Sequence, residues 1–157
     1  MATIIVGMAD LRVCKTPDTL TTLGLGSCIG VCIYDKITKI TGMAHIMLPS
    51  VTNYAGQNRA KFADSAVEDL VRLMVSMGAT RSALTAKIAG GAHMFAGGSD
   101  ILKVGDRNAE ACLGVLAKLR IPVQARDTGG SHGRTIEFYS DTGALKIRSV
   151  GAGEKMI

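Results

Sequence analysis

The sequence predicts an α+β fold, with two helices packed on one side of layered, strand-rich sheets. Three observations predict it. Strand-like runs follow one another through the first 48 residues. Between Arg59 and Met77 the apolar period changes from two to about 3.6. A second helical stretch stands alone among later strands, so helices and strands do not alternate as a doubly wound parallel sheet requires.

In chain order, Thr3–Val6, Asp10–Cys14, Thr19–Leu25, Ile29–Tyr34 and Ile40–Leu48 read as strands. Pro49–Asn58 carries Pro, Asn and Gly and reads as a loop. In the helix that follows, Phe62, Ala66, Leu70, Leu73, Met74 and Met77 form one apolar stripe, and Gly78 supplies the C-cap. Ser82–Ala89 is a strand running into the glycine-rich GGAHMFAGGS segment. The second helix spans Arg107–Leu119, with Asp106 as N-cap and Pro122 beyond its end. Val123–Asp127, Thr135–Ser140 and Ala144–Val150 complete the strands, and Asp141-Thr142-Gly143 turns the final hairpin.

The 157 residues suit one domain, residues 1–157, with a core of its own. With no Trp, three Phe and three Tyr, that core is built from aliphatic side chains. No apolar run approaches the roughly 18 residues of a membrane span, so no membrane insertion is expected. The N-terminus has no signal-peptide pattern, which makes the cytoplasm the expected compartment. There Cys14, Cys28, Cys32 and Cys112 stay reduced. No CxxC pair occurs, and His45, His93 and His132 lie far apart, so neither metal nor other cofactor is expected. The net charge of +5 is scattered, without the basic stripe of a nucleic-acid binder. It suits steering toward an acidic protein surface.

The most informative stretch is TLTTLGLGSCIGVCIYDKITKITGMAHIMLP. If Asp35–Thr38 form a four-residue turn, the ladder pairs Tyr34 with Lys39 and continues to Cys28 opposite His45. Opposed residues share a face with Cβ atoms about 4.5–5.5 Å apart. A cysteine and a histidine so placed can share a proton, which activates the thiol. Gly24, Gly26 and Gly30 leave room for a substrate to approach, and Ser27 and Cys28 offer backbone N–H groups to an oxyanion. Thr21 or Thr22, on the preceding strand, can hold the imidazole. The bland reading is that Cys28 is a small buried hydrophobe and His45 a satisfied core histidine. Cys32 falls opposite Thr41, with no base beside it, and Cys14 and Cys112 read as structural. Arg134 reads as a surface arginine or a carboxylate binder.

The chain resembles the chemoreceptor glutamine deamidase family CheD of bacterial and archaeal chemotaxis. The resemblance rests on TLGLGSCIGVCIYD, GMAHIMLP, KIAGGAHMF, GDRN and DTGGSHGR, which occur in the family's order and span nearly the whole chain. It implies a Cys-His-Thr triad of Cys28, His45 and Thr22. It also implies an α/β/β sandwich akin to the catalytic domains of deamidating toxins. The implied activity converts receptor glutamines to glutamates through a Cys28 thioester; the glycine-rich setting itself offers Ser27 and Gly26 as oxyanion or substrate-binding residues. Weak methylesterase activity is a secondary expectation. The implied partners are methyl-accepting receptors, as substrate, and the phosphatase CheC, which inhibits the deamidase. The competing readings are a non-enzymatic adaptor that binds CheC and a transglutaminase that passes the acyl group to an amine.

Overall fold

The computed structural model describes residues 1–52, 56–93 and 103–157. Five strands form a first sheet in the order β1-β3-β8-β9-β10: β1 Thr3–Ile5, β3 Thr19–Leu25, β8 Arg134–Tyr139, β9 Leu145–Ser149 and β10 Gly153–Met156. A second sheet has the order β2-β5-β4-β6-β7: β2 Leu11–Cys14, β5 Thr41–Ile46, β4 Ile29–Asp35, β6 Leu84–Gly90 and β7 Val123–Thr128. Both are mixed, since β1 runs parallel to β3 and β6 parallel to β7 while the other pairs are antiparallel. The parallel β6–β7 pair needs a crossover, and α2, Val104–Lys118, provides it.

The two helices cover one face of the second sheet. α1, Ala63–Ser76, packs on β5 and β2, and α2 on β4 and β6. One apolar cluster fills the space between helices and sheet, joining Ile29, Val31, Ile33 and Ile88 to Leu70, Met74 and Leu116. A separate cluster lies between the sheets, joining Leu20, Leu25, Ile136 and Phe138 to Cys32, Tyr34 and Met43. The expected α+β layering is therefore present, as helices, then sheet, then sheet. The middle sheet is buried on both faces, which is why every residue of β4 and β5 is buried.

Several details differ from the expectation. The first helical stretch splits into a 3₁₀ turn at Arg59–Lys61 and α1 proper, because Phe62 is extended and pairs in parallel with Leu48. Its buried face uses Ala63, Ala66, Val67, Leu70, Val71 and Met74, leaving Leu73 38% exposed. Gly78 ends it as expected, at φ +109° with its N–H donating to Val75 O. α2 starts earlier than expected, with Lys103 at the N-cap, so Asp106 sits inside its first turn. The 141–143 turn joins β8 to β9; the last hairpin is β9–β10, a strand missed because Gly153–Met156 is exposed throughout. Most of the GGAHMFAGGS segment, and residues 53–55 of the Pro49–Asn58 loop, lie outside the described residues.

The buried face of α1 predicts a contrast between neighbours. Leu70→Ala should cost about 2–5 kcal/mol of stability, whereas Leu73→Ala should stay within about 1 kcal/mol. Urea unfolding of both variants checks this, and equal losses would reject the face.

Candidate active site

The β4–β5 hairpin positions the histidine. Its turn has four residues, as expected, but begins one residue later: Asp35 N–H donates to Ile40 O at 3.0 Å, closing a turn of residues 36–39. Asp35 holds this turn, because its carboxylate accepts from Ile37 N–H at 2.9 Å and the Thr38 hydroxyl at 2.6 Å. A one-residue move of the turn shifts the register by two. His45 therefore stands opposite Gly30, and Cys32 opposite Met43, in place of the expected Cys28–His45 and Cys32–Thr41 pairs. A shift of two preserves side-chain parity, so His45 still faces the first sheet. Gly30 makes room there. A Cβ on it would lie 2.5 Å from Ile136 Cδ1 of the opposite sheet.

Across the inter-sheet space His45 meets Thr22. The distance from Thr22 Oγ1 to His45 Nδ1 is 2.7 Å, and both residues are buried. The same hydroxyl lies 2.6 Å from Val6 O, just beyond β1. These two contacts determine the tautomer. A hydroxyl carries one hydrogen, and a carbonyl can only accept. The Thr22 hydrogen therefore goes to Val6 O, and its oxygen accepts from His45 Nδ1–H. The Nε2 lone pair is left free, and Nε2 is a buried atom with no hydrogen-bond partner among the described residues. An orphaned buried polar atom costs about 1–3 kcal/mol, so it calls for an explanation, and a catalytic role is one that such atoms have. Thr21 is turned elsewhere, donating to Ile136 O at 2.7 Å.

Cys28 sits where the chain passes from one sheet to the other. β3 ends at Leu25 in the first sheet and β4 begins at Ile29 in the second, so Gly26, Ser27 and Cys28 form the crossing. Cys28 packs against the inter-sheet cluster, in the layer that His45 faces, and is the one cysteine of the four that is not buried. All three carbonyls of the crossing are held. Gly26 O accepts from Ala92 N–H and Cys28 O from Gly91 N–H, each at 2.9 Å, while Ser27 O accepts from Asn108 Nδ2 at 3.0 Å. The N–H groups of Ser27 and Cys28 meet no acceptor among the described residues. Gly90, at φ +115°, is what lets the 90–92 loop lie so close: a Cβ there would stand 2.2 Å from Cys28 O.

Of the two readings of Arg134, surface arginine or carboxylate binder, the structure has the second: its side chain is only 8% exposed. It donates to the Asp127 carboxylate at 3.0 Å and to the carbonyls of Gly90 and Gly129 at 3.1 and 2.9 Å, bracing the loop behind Cys28. His93 pairs with Asp106 at 3.1 Å, outside the crossing. The sequence singled out the GDRN motif without a role for Asn108, whose amide also reaches Met47 O at 2.9 Å.

Burial pushes the Cys28 thiol up from its ordinary value and the His45 imidazole down from its own. Both shifts favour neutral thiol and neutral imidazole in the free protein, rather than an ion pair. Burial also raises the other thiols, Cys14 to about 11 and Cys32 and Cys112 further still. A depressed imidazole has a consequence for stability. Its contribution is fully present above the unfolded-state value of about 6.5 and is lost as pH falls below that, down to the folded-state value. His45→Asn keeps a donor for Thr22 but cannot titrate. Wild-type stability should fall faster than that of His45→Asn below about pH 6.5, by up to about 1.4 kcal/mol per pH unit. Urea unfolding across a pH series measures this, and parallel curves would show that His45 titrates normally.

Residues 47–149 match the family described as CheD chemotactic sensory transduction. The chain is 55% identical over 155 residues to a probable chemoreceptor glutamine deamidase CheD of Lachnoclostridium phytofermentans, covering 97% of this chain and 96% of that one. It is 46% identical over 156 residues to the chemoreceptor glutamine deamidase CheD of Bacillus subtilis, covering 97% and 94%. Among solved structures, the hypothetical protein YfiH of Bacillus licheniformis superposes with a TM-score of 0.51 over 76% of this chain and 50% of that one, at 16% identity. That likeness concerns the fold alone and does not bear on the expected kinship with toxin catalytic domains. The span and level of identity settle the family: the chain belongs to CheD.

Proposed function

We propose that this protein is a chemoreceptor glutamine deamidase, a cysteine hydrolase that converts glutamine side chains of chemotaxis receptors to glutamate. The relatives bear that name. The observation that carries the chemistry is the Nδ1–H tautomer of His45. It leaves a buried Nε2 lone pair, unpartnered among the described residues, in the layer against which the partly exposed Cys28 packs.

The reaction begins from the neutral pair. As the carboxamide enters, Nε2 takes the thiol proton while sulfur attacks the amide carbon, so the buried thiolate never stands alone. The catalytic hydrogen bond between Sγ and Nε2 forms in the complex. The oxyanion develops against the N–H groups of Ser27 and Cys28, which meet no acceptor among the described residues, with Gly26 beside them. Nε2–H then protonates the nitrogen, ammonia departs and a thioester remains. Water, deprotonated by the neutral imidazole, hydrolyses it to the glutamate carboxylate and free thiol. Thr22, held by Val6 O, keeps Nδ1–H in place throughout. The same route cleaves a glutamyl methyl ester, which would give weak methylesterase activity.

A glutamine on a folded receptor helix must reach the thiol, and CheC, presenting a similar helix, would inhibit by occupying the same approach. The work takes place in the cytoplasm, where the receptors carry their signalling helices. No cofactor enters the scheme.

Ammonia release from a receptor cytoplasmic fragment tests the assignment. Cys28→Ala and His45→Ala should abolish turnover, and Thr22→Val should lower kcat by about ten- to a hundredfold while the protein stays folded. Full activity in Cys28→Ala would end the reading, leaving the adaptor role. Protein cross-linking in place of ammonia-to-glutamate stoichiometry would favour amine transfer.

A further inference from the structure

We propose that Asn108, the asparagine of the GDRN motif, is a positioning residue that builds the oxyanion site by turning the Ser27–Cys28 peptide. The inference rests on the deamidase reading above and adds a residue to its machinery.

The β4–β5 ladder ends at Ile29 opposite Ile46. In the same register the next pair would be Cys28 opposite Met47, but there the strands part as the chain crosses to the first sheet. Asn108 fills that gap from α2. Its Nδ2 donates one hydrogen to Ser27 O at 3.0 Å and the other to Met47 O at 2.9 Å. The two carbonyls also fix the orientation of the amide, because Oδ1 in that place would face two acceptors. The side chain is fully buried, and Oδ1 has no partner among the described residues. A residue that leaves one buried acceptor unsatisfied is held here by what its donors do.

What they do follows from peptide planarity. In a trans peptide C=O and N–H point in opposite directions. Ser27 O and Cys28 N–H belong to one peptide, so drawing the oxygen toward α2 aims the N–H away from it. Ala92 N–H does the same for the Gly26–Ser27 peptide, drawing in Gly26 O and turning Ser27 N–H outward. Both outward N–H groups lack acceptors among the described residues. The oxyanion donors are thus oriented from behind, one by a side chain and one by the glycine loop. Only the first can be altered by substitution without touching the main chain.

The test separates oxyanion stabilisation from thiol reactivity. Alkylation of Cys28 by iodoacetamide is displacement at carbon and develops no oxyanion, whereas deamidation does. In the full-length protein, Asn108→Ala should lower kcat for receptor deamidation by about ten- to a hundredfold, with KM nearly unchanged. Alkylation of Cys28, followed by peptide mapping, should stay within about threefold of wild type. Asn108→Asp, the same shape without donors, should lose at least as much turnover. Unchanged kcat in a folded Asn108→Ala protein overturns the proposal. So does a parallel fall of kcat and alkylation, which would assign Asn108 to general integrity of the loop. Should Asn108→Ala not fold, Asn108→Ser carries the same comparison, and failure of every variant to fold assigns the residue to folding alone. Cys28→Ala is assayed beside them: if it retains activity the deamidase reading itself fails, whereas an inactive Cys28→Ala with an active Asn108→Ala rejects this inference only.

Discussion

The site depends on one hydrogen bond between two sheets. Thr22 belongs to β3 of the first sheet and His45 to β5 of the second, and their 2.7 Å contact crosses the layer between them. Neither strand could place the imidazole alone. The bond becomes directional because Val6 O claims the only hydrogen that Thr22 has to give. From that follows the tautomer, and from the tautomer the single nitrogen able to act as a base. The close packing that excludes water from this layer also strengthens each polar contact inside it.

The same burial sets the resting electrostatics. Cysteine–histidine sites are commonly described as ion pairs, yet here desolvation raises the thiol and lowers the imidazole. A neutral pair is less nucleophilic at rest and correspondingly less open to oxidation, since the thiolate is the reactive form. In the proposed mechanism, reactivity arises with substrate, as proton transfer and attack proceed together. For an enzyme whose substrate is a folded receptor, this confines the chemistry to the docked complex.

Much of this architecture was legible in the sequence. The change of period at Arg59 marked the first helix, and the consecutive strands before it marked layered sheets. Cys28 and His45 could be singled out from residue types and hairpin counting, and the resemblance chose Thr22 over Thr21, but the register came out two residues off. The cause is local: the Asp35 carboxylate caps its own turn, so that residue joins the strand and the turn starts at Lys36. Parity survives a shift of two, so the faces of β4 and β5 stay as counted although the pairing differs. Asn108 was opaque for a different reason. Its partners Ser27 and Met47 lie 81 and 61 residues away, and no local pattern announces a bond between a helix and a loop so distant in sequence. The edge strand β10 was missed because exposure on both faces leaves no alternation to read.

Two kinds of scaffold serve the site, and they control different things. The sheets place side chains, bringing the Thr22 hydroxyl to the His45 ring. Helix α2 and the glycine loop place a stretch of main chain, by gripping three successive carbonyls of the crossing from behind. The motifs shared with the family divide along this line. TLGLGSC and GMAHIMLP hold the reacting groups, while KIAGGAHMF, GDRN and DTGGSHGR converge on the grip through Gly91, Ala92, Asn108 and Arg134. A main chain so held has its N–H dipoles oriented before the substrate arrives, and preorganised dipoles cost no rearrangement at the moment of reaction. That explains why GDRN and the glycine loop, so far from the thiol in sequence, end against the same three residues, with Arg134 bracing the loop through Gly90.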